Sequence, residues 1–129
     1  MADYVADTMA IVSHFAQRRL SEMARQILRD ADNDKHSIFF YVVTLMEILY
    51  LSEARRISLS PAELMKRISE SSNYIPLPLT VEIVLTASTI DDVREMHDRL
   101  IAATAKYYNY PLLTNDPILL KSKHIIAVW

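Results

Sequence analysis

Apolar and polar positions change rhythm many times along this chain. Residues 4–6, YVA, are strand formers ended by Asp7-Thr8, and residues 9–15 then take helical spacing. The stretch "LSEMARQILRDA" repeats that spacing, with Leu20, Ala24, Ile27 and Leu28 on one face. Residues 37–43, SIFFYVV, form an almost unbroken apolar run of β-branched and aromatic residues, expected of a strand buried on both faces. Thr44-Leu45-Met46-Glu47 has the form of a capping box opening a helix to about Arg56. Ser60-Pro61-Ala62-Glu63 has it again, with proline at the first helical position, where its missing N–H costs nothing. "NYIPLPLT" reads as an edge strand, because its prolines cannot donate to a ladder on both sides. Thr80 opens a helix through about Ser88, "HDRLIAATAKYY" forms another, "YPLLT" a strand, and "HIIAVW" the last strand. Asn109 is the expected left-handed helix end, asparagine being next best after glycine.

Helices alternate with apolar strands, which predicts an α/β fold: a parallel sheet with helices on both faces. No repeat, linker or low-complexity tract interrupts the 129 residues, so one domain over 1–129 is expected. The longest apolar run, residues 38–43, is far below the ~18 residues of a membrane span. The start, "MADYVAD", has acids where a secretory signal has Lys or Arg, and the expected location is cytoplasmic.

Composition then narrows the chemistry. With no Cys there is no thiol nucleophile and no Cys-based zinc site. With no Gly there is no dinucleotide fingerprint, P-loop, EF-hand loop or nucleophile elbow. His14, His36, His97 and His124 show no zinc-ligand spacing. Carboxylates, hydroxyls and a bound divalent metal remain. The net charge of −2 gives no global field for nucleic acid, so attraction must come from local basic pairs such as Arg18-Arg19.

In an open parallel sheet, ligands bind outside the carboxyl ends of the strands. Asp7 follows the first strand, Glu47 lies in the first turn after the second, and Asp116 follows the fourth. Asp98 opens a helix antiparallel to the strands, which must start at that same edge. All four are therefore placed on one edge. The remaining acids fall in helix bodies (Glu53, Glu95), at a helix start (Glu63) or in loops (Asp30, Asp32, Asp34), and share no edge; Asp91 and Asp92 are harder to place. Singly, Glu47 and Asp98 are explained as helix-start acids, and Asp7 and Asp116 as turn residues. Together they would repel, and a hard, oxygen-seeking ion such as Mg²⁺ or Mn²⁺ is the economical partner. Such an ion suits metal-assisted phosphodiester hydrolysis.

The segments "YVADT", "TLMEI", "HDRLIAATA" and "PLLTND" resemble, in order and spacing, those of PIN-domain ribonucleases, and the chain is similar in size to VapC-type toxins. The resemblance runs from about Tyr4 to Trp129. Met9 departs from the family's usual Asn or Ser, and the turn before "PLLTND" lacks the usual glycine. It implies a three-layer α/β/α sandwich around a five-stranded parallel sheet of order 3-2-1-4-5. It also implies an RNA-cleaving acidic site holding Mg²⁺ or Mn²⁺. On this resemblance Asp7, Glu47, Asp98 and Asp116 are the catalytic and metal-binding acids, with Thr8 and Thr114 as supporting hydroxyls and Asn115 at the site's edge. Arg18, Arg19 and Arg99 are candidates for RNA contact. A homodimer and an antitoxin protein are the partners it implies. The alternative is a PIN-fold binding module without nuclease activity. A phosphoacceptor receiver is excluded, since the third strand ends "PLPLT" with no acceptor Asp.

Overall fold

The computed structural model describes residues 3–70 and 73–129. Five strands, β1 (Tyr4–Ala6), β2 (Ile38–Tyr41), β3 (Tyr74–Leu77), β4 (Leu112–Leu113) and β5 (Ala127–Val128), form one parallel sheet of order β3-β2-β1-β4-β5. This is the sandwich and strand order expected. Between the strands lie α1 (Thr8–Phe15), α2 (Glu22–Asp32), α3 (Thr44–Glu53), α4 (Pro61–Ser69), α5 (Val81–Ala87), α6 (Met96–Tyr108) and α7 (Pro117–Lys121).

Side chains alternate through the sheet with period two and divide the core into two halves. Ala6, Ile38, Phe40, Tyr74 and Leu113 face α1 to α4, against Ile11, Leu28, Ile48 and Leu64. Val5, Tyr41 and Leu112 face the other layer, against Ile83 of α5, Ile101 to Ala103 of α6 and Leu119 of α7. The alanines of α6 let that helix lie close on the sheet. Phe40 is fully buried, and its truncation to alanine is expected to cost about 3–5 kcal/mol. Strand β3 is one edge of the sheet, and its Pro76 pairs in register with Phe40 at a position that needs no second ladder.

Several local expectations are corrected. Thr44 does not cap α3: Val43 holds the cap position in helical geometry with no side-chain bond, and the Thr44 hydroxyl turns to Thr8 instead. Glu95 is no helix-body residue; it is the N-cap of α6 and accepts from the Asp98 N–H at 2.7 Å. Asp30 and Asp32 lie on α2, not in a loop. Helix α7 stands between "LLTND" and the last strand, where no element is expected, and that strand is only two residues long. The Ser60 cap, the Thr80 cap and the left-handed Asn109 (φ 59°) are as expected. Gln17, Asp34 and Arg55 also take positive φ, as some residues must in a chain without glycine.

Candidate metal centre

Strand order reverses beside β1, so β1 and β4 flank the switch point where a crevice opens. There a cavity of about 340 Å³ is lined by Asp7, Glu47, Asp98 and Asp116, with Thr8 and Asn115 at its wall. Met9, Ile101 and Pro117, not singled out from sequence, complete the lining.

Each acid is positioned differently. Asp7 is buried and caps α1, accepting the Ala10 N–H at 2.8 Å on one oxygen. Its other oxygen accepts from the Thr114 hydroxyl, which joins β1 to β4. Glu47 lies one turn into α3 and accepts from the Thr8 hydroxyl at 2.8 Å. That hydroxyl also meets Thr44 at 3.1 Å, so two buried threonines fix the Glu47 carboxylate. Thr44 is the hydroxyl that sequence reading assigned to a cap. Asp116 caps α7 with one oxygen, which accepts from Ile118 and Leu119 N–H groups. Thr114 accepts the Asp116 N–H as well, so one threonine orients both acids. The Asp98 carboxylate accepts no hydrogen bond from any described residue.

The electrostatics follow. Burial raises the Asp7 carboxyl above its usual range, Asp116 and Glu47 push it further, and the Thr114 and Ala10 donors resist the shift. Asp98 is pushed up to about 6, first by burial and then by Asp116, Glu95, Asp7 and Glu47. Tyr41 in the core is raised to about 12 by burial, with Glu47 and Glu95 adding to it. The acids therefore feel one another, and no basic side chain answers them: among the described residues no ion pair engages Asp7, Glu47, Asp98 or Asp116.

This donor set fits a hard divalent cation. It offers only oxygen, and its charge is unneutralised. Among the described residues, a trio of ligand atoms all within 4.8 Å of one another occurs only elsewhere, at Asp91, Asp92 and His124. The wider spacing in the cavity suits Mg²⁺, which keeps several waters and takes one or two carboxylates directly. The tighter trio is already satisfied. Asp92 accepts from the Ser122 hydroxyl and the Lys123 N–H, and His124 bonds Asp91 through Nε2 and Lys106 through Nδ1. The histidine spacing gave no sign of this grouping, because His124 lies more than thirty positions from the adjacent pair Asp91-Asp92.

The candidate RNA-contact arginines separate. Arg18 donates to the Arg56 carbonyl at 2.6 Å, beside Arg55 and away from the acids. Arg99 turns back onto the end of α5, donating to the Ala87 carbonyl at 2.8 Å. Arg19 lines a second hollow, which shares Asn115 with the acidic cavity.

No curated protein matches this sequence. Among solved structures the fold is similar to VapBC2 from Rickettsia felis bound to a promoter DNA fragment (TM-score 0.70, 15% identity, 98% of this chain and 97% of that one). It is similar to DNA-bound VapBC from Salmonella typhimurium (TM-score 0.70, 18% identity, 99% and 98%). A toxin-antitoxin complex from Klebsiella pneumoniae also matches (TM-score 0.66, 16% identity, 98% and 96%). At these identities the likeness speaks for the fold. The family model described as "PIN domain" matches residues 4–123, nearly the whole chain. With that match, and a 3-2-1-4-5 parallel sheet whose switch point carries the acidic cavity, the chain belongs to the PIN-domain family.

Proposed function

We propose that this protein is a divalent-metal-dependent endoribonuclease acting through Asp7, Glu47, Asp98 and Asp116. The observation that carries the reading is a cavity lined by four acids that, among the described residues, no ion pair engages, the two shifted carboxyls both being raised. A bound Mg²⁺ or Mn²⁺ supplies charge neutralisation, polarises a phosphoryl oxygen and lowers the pKa of a water. The protein's part is placement. Thr114 and the Ala10 N–H hold Asp7, and Thr8 holds Glu47, so these two carboxylates are pre-oriented toward the cavity. Asp98 accepts no hydrogen bond from described residues and is free to serve a cation or a water. Burial and the neighbouring acids hold it up at about 6 in the metal-free protein, and a cation in the cavity would relieve that repulsion.

The test is RNA cleavage in Mn²⁺ by wild-type protein and by Asp98→Asn and Asp7→Asn. Both variants should lose activity while keeping the native circular dichroism; undiminished cleavage rejects the assignment. A protein that binds Mn²⁺ and cuts no RNA in a broad panel is instead a binding module.

On this reading the chain works in the cytoplasm as a single domain and as the toxin of a toxin–antitoxin pair, a proposal supported by the named complexes that share its fold. No helix of the described residues is long and apolar enough to cross a membrane. A homodimer fits the exposed apolar face of Val81, Val84 and Leu85 on α5 with Met96 on α6. Leu85→Glu should leave a monomer in sedimentation analysis.

A further inference from the structure

Beside the acidic cavity lies a larger hollow of about 530 Å³, walled by Arg19, Ser21, Glu22, Arg25, Asn115 and Trp129 among others. Asn115 lines both, so the two spaces are neighbours on the carboxyl edge. We propose that this hollow is a nucleotide subsite, in which Arg19 and Arg25 hold a phosphodiester and Trp129 stacks on the base of one single-stranded nucleotide.

The chemistry of the walls supports this assignment, which rests on the nuclease reading for its position next to the cleavage site. Arg19 is exposed, and no ion pair or side-chain hydrogen bond engages it among the described residues. Arg25 has only a loose pair with Glu22 at 3.6 Å, and that carboxylate is 95% exposed, so it can swing aside when an anion arrives. Trp129 is half-buried: it packs partly against the core beneath, stacks on no other described aromatic ring, and lines the hollow with what remains exposed. Guanidinium beside indole is the pairing that holds a phosphate and a base together without reading sequence. An acidic peptide would use the arginines alone and has no use for the indole. A net charge of −2 also makes a local basic element necessary if a polyanion is to approach four carboxylates.

Trp129 is the sole tryptophan, so its emission reports on this hollow alone. Asp98→Asn protein in Mg²⁺ is titrated with hexauridylate, following tryptophan fluorescence and, with a labelled copy, anisotropy. We expect saturable quenching, weakened about tenfold when Arg19→Ala and Arg25→Ala are added and weakened further by salt. Trp129→Phe should retain affinity, by anisotropy, that Trp129→Ala loses. Unchanged Trp129 emission, whether or not the oligonucleotide binds elsewhere, overturns the subsite and leaves the nuclease reading standing. Equal quenching by hexaglutamate overturns the nucleotide assignment. Quenching by RNA, with no Mn²⁺-dependent cleavage by the wild type, upholds the subsite and removes the nuclease reading.

Discussion

Asp91, Asp92 and His124 stand closer together than any trio of the cavity acids, yet their charges are held in the opposite sense. The His124 hydrogen bond lowers Asp91, and the Lys123 N–H and Ser122 hydroxyl lower Asp92. In the cavity the two acids that shift, Asp7 and Asp98, shift upward. The first group has been supplied with donors by its own chain; the second has been buried and crowded without a compensating cation. On the proposed reading, proximity of ligand-type side chains is the weaker guide to a metal centre. An electrostatic deficit is the stronger one.

The largest effect that tests this contrast is on catalysis. Asp98→Asn should reduce Mn²⁺-dependent kcat/KM by about 10²-fold or more, whereas Asp91→Asn should stay within about twofold. Equal losses in the two variants would break the comparison. A smaller loss, about tenfold, is expected for Thr8→Val, because Glu47 keeps its place in α3 but loses the hydroxyl that aims it. Thr8→Ser should restore most of it.

Stability distinguishes the groups by sign. Asp98 has a raised pKa, so its carboxylate costs stability above about pH 6, and the cost disappears as the pH falls toward 4. Metal-free Asp98→Asn should then melt a few degrees above wild type at pH 7, about 1 kcal/mol after solvent screening. That gap should close near pH 4. Asp92 has a lowered pKa, so its contribution is present above the ordinary carboxylate value near 3.8 and is lost as the pH falls through the depressed one. Asp92→Asn should melt below wild type at pH 7, and that gap should also shrink in acid, from the other side. Finally, Mg²⁺ should raise the melting temperature of wild type at pH 7.5 and do so less at pH 5.5, where protons compete for Asp98. Chelator should reverse the gain.

The parallel sheet, its two helical layers and the β3 edge were legible because apolar runs and prolines report directly on burial and edges: 37–43 contains β2, and Pro76 marks β3; the strand order came only from the family resemblance. Asn109 was legible because few residues tolerate a left-handed turn. Thr44 was misread because its motif is satisfied locally on paper, while its hydroxyl is claimed by Thr8, thirty-six positions away. Helix α7 had a signal, an Asp-Pro pair at cap and first position, in "LLTNDPILLK". Glu95 gave almost none, since glutamate is an uncommon N-cap. The cavity acids could be placed on one edge by topology alone, whereas the direction each arginine takes depends on packing that no spacing records.

The hydrogen bond from Thr114 to Asp7 spans 107 positions. Loop closure on that scale comes late, and any chain that stops before β4 has Asp7 without its partner and lacks Asp116 altogether. A fragment ending just before β4 holds three of the acids and the contacts of Ala10 and Thr8 to two of them, but not the Thr114 hydroxyl that orients Asp7 and Asp116 together. The Thr114 bond thus makes completion of the cavity coincide with the docking of β4 on β1, so the site is finished only when nearly the whole chain is available.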